Sequence, residues 1–285
     1  MLWWGKKKRS TARATDPGLE ESCVVEASFL SDQGPRRTSN EDSATVVVPQ
    51  DAEHIATKGT LVLVADGMGG HEGGEVASEM AARLISEAYY ADPADPQTSL
   101  VNAYQAANRA IFEHAKKEPQ LKGMGTTCTA VAIVNGLAYS AHVGDSRAYL
   151  VRGGQLYQMT EDHSQTMEMV KQGLITLQEA HEHPDRNVIL RAMGTHKDLE
   201  VALWETPFAL RPGDRFVLCS DGLHEMVTDE EICAITASTE YRQACAQMMQ
   251  LALERISSDN VTVAVAQMYP PGARNGHGPR ETRVL

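Results

Sequence analysis

The sequence predicts an α+β fold in which an antiparallel sheet carries helices on its outer faces. Two pairs of apolar segments are each separated by residues typical of a hairpin turn, Asn135-Gly136 in the first pair and Arg152-Gly153-Gly154 in the second. The helices come in consecutive pairs and do not alternate with strands, which argues against a doubly wound parallel sheet. The 285 residues suffice for a sizeable hydrophobic core.

Runs of apolar and β-branched residues define the predicted strands. These runs lie near residues 23–30 and over 44–48, 60–65, 126–134, 137–143, 147–151, 155–159, 199–205, 215–220 and 261–267. Several of them end at glycine or at an Asn-Gly pair, as strands followed by tight turns do.

Helices are predicted where apolar residues recur three and four positions apart. One such stripe runs from Val76 to Ala88 and a second from Leu100 to Ile111, with Thr98 or Ser99 as the expected N-cap of the second helix. A polar helical segment covers 163–172, and a last helix covers 241–256. Capping-box patterns predict two further helix starts, at Thr176 with Glu179 and at Thr228 with Glu231.

Composition excludes several classes of protein. The formal net charge of −12 argues against nucleic-acid binding, which requires a basic surface. No run reaches the ~20 apolar residues of a membrane span, and no secretory signal is evident. The five cysteines lack CxxC spacing, and Cys128, Cys219 and Cys233 lie in apolar contexts. We therefore expect reduced core cysteines and a cytoplasmic protein.

Both ends of the chain differ in character from its body. Residues 1–21, which contain Trp3 and Trp4 followed by a basic run, are expected to form a disordered head; a weak contact with a membrane surface or a partner is the alternative. Residues 270–285 are rich in proline and glycine and are expected to form a flexible tail. The body, residues 22–269, is expected to be one domain.

Acidic residues recur at the predicted strand ends. Asp66 ends the apolar run 61–65 and is followed by Gly67, and Asp221-Gly222 repeats this pattern. Further acids of this kind are Asp32, Glu41, Asp42, Asp145 and Asp259. Each alone could be an unrelated turn residue, but gathered together they would repel one another unless cations neutralise them. Ligation by oxygen alone favours Mg²⁺ or Mn²⁺, and a set of this size suits two ions roughly 3.5–4 Å apart.

Seven segments, in order along the chain, resemble the metal-dependent protein phosphatases of type 2C (PPM), specifically their bacterial Ser/Thr branch. The similarity spans about residues 23–268. The segments are residues 31–34 with Arg37, Asn40, Glu41 and Asp42; 66–71; 123–127; 144–147; 160–164; 219–223; and 259–262. Several motifs in the same order are far more specific than any one alone.

The resemblance implies a four-layer α/β/β/α fold, with a central antiparallel β-sandwich flanked by helices and metals at one end. It also implies hydrolysis of phosphoserine and phosphothreonine in proteins, by direct attack of a hydroxide that bridges two Mn²⁺ or Mg²⁺ ions. A third ion is possible. Residues 163–193 would form a flap beside the site that tunes substrate access.

The resemblance further implies individual roles. Asp66 would bridge both ions, the Gly67 carbonyl would bind one, and Asp221 and Asp259 would bind the other. Glu41 and Asp42 would hold metal-bound waters, and Asp145 would join Asp221 at a third ion. Arg37 would clamp the substrate phosphate. His71 is a weak candidate for the general acid, with a turn-capping role or a metal-bound water as alternatives.

Two rival functions stay open at this stage. One is a catalytically silent binding module of the same fold, and the other is a metal-dependent hydrolase of a small phosphoester. The phosphatase interpretation implies phosphorylated protein substrates, a Ser/Thr kinase whose action it reverses, and a monomeric enzyme. Another reading of Asp145 is that it pairs with Arg147 and only fixes the turn.

Overall fold

The computed structural model describes residues 23–69 and 73–272. Within these residues, twelve strands form two antiparallel sheets. The strands are β1 (Val24–Asp32), β2 (Asp42–Val47), β3 (Thr60–Met68), β4 (Gly125–Thr126), β5 (Cys128–Val134), β6 (Leu137–Val143), β7 (Arg147–Arg152), β8 (Gln155–Gln158), β9 (Ala202–Leu203), β10 (Phe208–Ala209), β11 (Arg215–Cys219) and β12 (Val261–Tyr269). One sheet has the order β1-β12-β11-β7-β8 and the other β10-β6-β5-β3-β2, with β4 paired to β3 and β9 to β6.

Eight α-helices in the described residues accompany the sheets. They are α1 (Ala52–Thr57), α2 (Gly73–Ala91), α3 (Pro96–Lys117), α4 (Gln165–Lys171), α5 (Leu177–Glu182), α6 (Asp221–His224), α7 (Asp229–Ser238) and α8 (Tyr241–Glu254). The capping boxes at Thr176 and Thr228 are both formed, as the sequence predicts.

Alternation of side chains along each strand places apolar residues in three separate layers. Val62 and Val64 of β3 enter the core between the two sheets, where they join Phe216 and Leu218 of β11. The intervening residues of β3 face α2 and α3, and those of β11 and β12 face α7 and α8. These three cores require four layers, helices–sheet–sheet–helices, and the predicted α+β class with a central antiparallel sandwich is confirmed.

The structure corrects several local predictions. The N-cap of α3 is Asp95, not Thr98 or Ser99, because Pro96 occupies the first helical turn and the Asp95 carboxylate accepts from two backbone amides. The predicted strand 126–134 is interrupted at Thr127, and 199–205 contains only the two-residue β9. The loop before Gly59 contains helix α1, which the sequence analysis missed.

Two further findings concern cysteines and membranes. Cys128 and Cys219 are buried, whereas Cys233 is only partly buried and is not a core residue; its thiol donates to the Gly154 carbonyl at 3.4 Å, at the turn between β7 and β8. None of the helices in the described part of the chain combines the length and apolar character that a bilayer span requires.

Candidate active site

The strand order brings acids from distant parts of the chain to one end of the sandwich. Asp42 begins β2 and lies directly opposite Asp66, near the end of β3, in the antiparallel register. In the other sheet β12 begins beside the end of β11, and β7 begins there as well, since Cys219 lies opposite both Val263 and Arg147. The acids that follow or precede those strand ends are Asp221, Asp259 and Asp145.

The backbone around Asp66 is fixed by two threonines. The Asp66 carbonyl accepts from the Thr127 amide at 2.8 Å and from the Thr126 hydroxyl at 2.9 Å, and the Asp66 amide donates to the Thr127 hydroxyl at 3.0 Å. Thr126 and Thr127 are fully buried. They hold the strand end while leaving the Asp66 carboxylate free of the backbone network.

Gly67 is required by the close approach of two backbone segments. Its amide donates to the Glu41 carbonyl at 3.0 Å, and a Cβ at this position would lie 2.1 Å from the Gly74 carbonyl oxygen. A Cβ at Gly74 would in turn lie 2.6 Å from Glu41 Oε2. The glycines of this motif therefore allow Glu41 to reach the acidic cluster.

Asn260 holds the loop that carries Arg37 and Glu41. Its side-chain oxygen accepts from the Glu41 amide at 2.8 Å, and its amide nitrogen donates to the Gln33 and Ser39 carbonyls at 2.8 Å each. At the rim, Arg37 Nη2 donates to Asp259 Oδ2 at 2.5 Å, with the two side chains 44% and 28% exposed. Arg37 is thus accessible to a ligand from solvent.

Ser220 connects the two sheets at the acidic end. Its hydroxyl donates to Asp42 Oδ2 at 2.7 Å and accepts from the Thr262 amide at 3.0 Å. Burial raises the pKa of Asp42 to about 6, although its hydrogen bonds with Ser220 and Thr262 oppose that rise.

Asp66 and Asp221 are the most strongly perturbed acids of the cluster. Burial, and then the charge of neighbouring carboxylates, raises the pKa of both well above its ordinary value. Asp42 is the foremost acidic neighbour of Asp66, and Asp145 that of Asp221. Burial followed by the charge of Asp162 raises the pKa of Asp145 to about 7. The charge of Arg37 on Asp42 and that of Arg147 on Asp145 oppose the rise in pKa, but among the described residues neither outweighs burial.

The donor set fits divalent cations. Asp145 Oδ1 and Asp221 Oδ1 are buried without a hydrogen-bond partner in the described residues, and the side chains gathered in the cluster are carboxylates. Hard cations such as Mg²⁺ and Mn²⁺ prefer such ligands. Within residues 23–69 and 73–272, no three Asp, Glu, His or Cys side chains lie close enough together to form a complete ion-binding site.

The turn-fixing interpretation of Asp145 is wrong, because Arg147 has another partner. Arg147 Nε donates to the two Asp162 oxygens at 3.0 and 3.1 Å, and Nη2 donates at 2.6 Å. The contact between Asp145 and His224 is made by the Asp145 backbone carbonyl, which lies 3.2 Å from His224 Nε2, and not by the carboxylate. Asp145 lines a cavity of about 320 Å³ together with Asp221 and seven residues of the predicted flap, namely Ser164, Thr166, Met167, Ala180, His181, Arg186 and Asn187.

Three other candidates lie apart from this cluster or outside the described chain. Asp32 is exposed and accepts from the Gly34 amide at 2.8 Å, as a turn residue does. Arg36 is exposed, and no ion pair is found for it within the described residues. His71, the candidate general acid, lies outside the described residues.

Sequence reasoning gave no role to Thr127, Ser220, Asn260 or Gly74, although it quoted all but Gly74 within motifs. Their contribution depends on which loops meet at the end of the sandwich, and that information is not local. The signal for Asn260 was its position directly after Asp259 and before a strand.

The chain is similar to known proteins over most of its length. A family model described as protein phosphatase 2C matches residues 40–264. The chain belongs to the protein phosphatase 2C family. Every acid placed in the cluster above falls within the matched range.

Two relatives show how far the similarity extends. The chain is 39% identical over 246 residues to the serine/threonine protein phosphatase PstP of Mycobacterium tuberculosis, which covers 86% of this chain and 45% of that protein. It is 36% identical over 252 residues to the serine/threonine phosphatase stp of Listeria innocua, which covers 85% of this chain and 96% of that protein. The chain thus spans about half the length of the first relative and nearly all of the second.

Solved structures agree with this relationship. The crystal structure of M. tuberculosis PstP superimposes with a TM-score of 0.77 at 39% identity and covers 86% of this chain and 99% of that one. A crystal structure of the catalytic domain of PstP in complex with two manganese ions gives a TM-score of 0.75 at 38% identity, covering 87% and 99% of the two chains.

Proposed function

We propose that the protein hydrolyses phosphoserine and phosphothreonine in proteins and depends on Mn²⁺ or Mg²⁺. The observation that carries the proposal is the gathering of Asp42, Asp66, Asp145, Asp221 and Asp259 at one end of the sandwich, two of them with buried, unpartnered oxygens. Membership of the protein phosphatase 2C family, and the two manganese ions in a structure of PstP, support it.

The acids would hold the ions in the roles given above, with Asp66 shared between two sites, the Gly67 carbonyl at one, and Asp221 and Asp259 at the other. Asp42 and Glu41 would bind through water, and Asp145 with Asp221 would take a third ion. Divalent cations bound there supply charge neutralisation for the phosphate and a nucleophile at neutral pH.

Arg37 would orient the phosphate group of the substrate. Its guanidinium projects at the exposed rim and its present partner is Asp259. With Asp259 engaged by a cation, the fork of N–H donors on Arg37 would be available for two phosphate oxygens. The side chain then stabilises negative charge that grows on the equatorial oxygens.

A covalent cysteine mechanism is disfavoured by the state of the thiols. Burial raises the pKa of Cys128 and Cys219 to about 12, so neither supplies a thiolate at neutral pH. Direct transfer of the phosphoryl group to water is the alternative that the acidic cluster supports.

The test is turnover of a phosphothreonine peptide and of a generic aryl phosphate, each with Mn²⁺ and with a chelator. We expect metal-dependent release of phosphate from the peptide, and its loss in Asp66→Asn. Asp32→Asn, which changes an exposed acid outside the cluster, is the matched control and should retain activity. If neither substrate is hydrolysed, a silent binding module is favoured. If only the aryl phosphate is hydrolysed, a small-phosphoester hydrolase is favoured.

We extend the proposal to the cellular setting of the enzyme. It would act in the cytoplasm as a monomer, within a signalling system, and reverse the action of a Ser/Thr kinase. Cys128, Cys219, Cys233 and Cys245 are free thiols, which suits a reducing compartment. Residues 22–269 would form the phosphatase domain, between the head 1–21 and the tail 270–285, and 163–193 the flap.

A further inference from the structure

The C-terminal end of helix α8 departs from the usual sequence of helix ends at two consecutive positions. Its last turn closes a Schellman motif, because the Ile256 amide donates to the Leu253 carbonyl at 3.0 Å and the Ser257 amide donates to the Ala252 carbonyl at 3.2 Å. The left-handed position of this motif usually carries glycine, and here it carries Ile256, with a φ of 58°. The next position often carries an apolar residue that packs back on the helix, and here it carries Ser257.

The backbone of Ile256 is strained, and burial of its side chain does not offset the strain. A β-branched residue rarely adopts a positive φ, because its Cβ comes too close to the backbone. The Ile256 side chain is 54% exposed, so it gains little from packing. The other non-glycine residue with a positive φ in the described part of the chain is Asn135, whose hairpin turn requires that conformation. Strain of this kind persists where the surrounding structure enforces it, and it is concentrated at functional sites.

The strained turn places Ser257 between two loops of the acidic cluster. Ser257 is 1% exposed, and its Oγ lies 3.2 Å from the carbonyl oxygens of Gly222 and of Asp259, either of which can accept the hydroxyl proton. The same Oγ accepts from the Asp259 amide at 3.2 Å. Gly222 directly follows Asp221 in the chain. Ser257 therefore connects the two segments that carry Asp221 and Asp259.

The backbones of these two segments are also in direct contact. A Cβ on Gly222 would lie 2.0 Å from the Asn260 carbonyl oxygen. The C-cap residue of α8, Arg255, donates from Nη1 to the Met226 carbonyl at 2.6 Å, just beyond the end of α6. The end of α8 thus contacts α6 at Gly222 through Ser257 and the loop after α6 through Arg255.

We propose that Ser257 is a positioning residue that sets the affinity of the ion shared by Asp221 and Asp259. The inference rests on the metal site of the proposed function, in which these two acids bind the same ion. Residues that hold metal ligands in place commonly contribute roughly 10- to 100-fold to metal affinity. Ser257 contacts the backbones beside the two carboxylates, so it acts through their separation. The strain at Ile256 has the same explanation, because the left-handed turn directs Ser257 to the two loops.

The test is calorimetric titration of the full-length, metal-free protein with Mn²⁺, together with thermal denaturation of each variant. Ser257→Ala should weaken the binding of one Mn²⁺ by about tenfold or more and leave a second Mn²⁺ bound, because the Gly67 carbonyl and Asp66 keep their own contacts. Ser86→Ala is the matched control. Ser86 is 4% exposed and donates to the Ala82 carbonyl at 2.7 Å within α2, so its loss removes a comparable buried hydrogen bond away from the cluster.

Two substitutions at the exposed Ile256 test the turn without changing Ser257, and they keep the test valid if Ser257→Ala does not fold. Ile256→Gly retains the left-handed conformation without strain, so it should raise the melting temperature and bind Mn²⁺ as tightly as the unchanged protein. Ile256→Pro fixes φ near −65° and removes the amide that donates to Leu253, so it should weaken one Mn²⁺ as Ser257→Ala does.

Three outcomes would overturn the inference while leaving the proposed function intact. They are equal Mn²⁺ affinity of Ser257→Ala and the unchanged protein, equal weakening by Ser86→Ala and Ser257→Ala, and equal Mn²⁺ affinity of Ile256→Gly and Ile256→Pro. If the unchanged protein itself binds no Mn²⁺, the metal site of the proposed function is wrong and this inference is overturned with it.

Discussion

Removing the Asp162 carboxylate should destabilise the protein strongly, because Asp162 is the main partner of a buried guanidinium. Arg147 and Asp162 are 11% and 9% exposed and share three N–H···O contacts of 2.6–3.1 Å. In Asp162→Ala, Arg147 keeps only its contact with the Tyr149 hydroxyl, at 3.1 Å. Breaking a buried pair in this way costs about 3–5 kcal/mol.

Urea denaturation at pH 7 measures this change, with Glu87→Ala as the control. Glu87 pairs with Arg83 on the surface at 3.3 Å, both side chains being 44–50% exposed, so its loss should cost less than about 1 kcal/mol. A second test is the double variant Arg147→Met with Asp162→Leu, which removes both charges and should recover much of the lost stability.

The pH dependence of the same pair has a definite sign. Burial is the largest influence and would raise the pKa of Asp162, but the charge and the hydrogen bonds of Arg147, with smaller contributions from His224 and His142, together hold it below the ordinary value. The stabilisation from a lowered carboxyl pKa is complete above the unfolded value of about 3.9 and is lost as the pH falls through the folded value. The difference between the unchanged protein and Asp162→Ala should therefore narrow below about pH 4. Equal losses from Asp162→Ala and Glu87→Ala at pH 7 would refute this reasoning.

Further predictions concern the acidic end. Arg37→Ala should lower kcat/KM for a phosphopeptide by roughly 10- to 100-fold, and Arg36→Ala should lower it much less. Equal effects of the two variants would show that Arg37 is not the residue that clamps the phosphate. Mn²⁺ at about 100 times its Kd at pH 8 should add about 2.7 kcal/mol of stability by thermal denaturation. The same Mn²⁺ concentration should add less at pH 5, because acids with raised pKa values such as Asp145 are then protonated and must release a proton to bind the ion. A stabilisation independent of pH would argue against the carboxylates as ligands. Asp145→Ala should reduce turnover while calorimetry still detects two tight ions, and loss of both would place it in the main pair. Gly67→Ala should lower the melting temperature and abolish turnover, because its Cβ would meet the Gly74 carbonyl at 2.1 Å; a variant with normal activity would show that the backbone can separate there.

Much of the fold follows from local sequence. The hairpin turn at Asn135, which has a φ of 50°, and the two capping boxes depend only on residues a few positions apart, and each forms as predicted. The division into two sheets was implied by the family resemblance and not by periodicity. Pairing such as that of β1 with β12 joins segments more than 200 residues apart, and alternation within a strand carries no information about its neighbour.

The candidate site divides in the same way. Asp66 and Asp221 could be singled out because each ends an apolar strand and precedes glycine. Ser220 and Asn260 could not, since a hydroxyl or an amide gains a role only when the Asp42 carboxylate or the loop 33–41 lies beside it. The Asp42 carboxylate and the loop 33–41 are brought to these residues by the packing of the two sheets, and the local sequence pattern does not predict that packing.

The hydrogen bonds around Gly144 connect the start of the predicted flap to the turn that carries Asp145. The His163 amide donates to the Gly144 carbonyl at 2.7 Å, and the Gly144 amide donates back to His163 Nδ1 at 3.1 Å. With the Arg147–Asp162 pair, these bonds fix the segment that enters the flap to the turn that carries Asp145. Removal of the Asp162 carboxylate should therefore displace Asp145 and lower turnover even at temperatures where the Asp162→Ala variant is fully folded. If fully folded Asp162→Ala turns over phosphopeptide at the normal rate, the pair serves stability alone, and the position of Asp145 is set by β7 and not by the base of the flap.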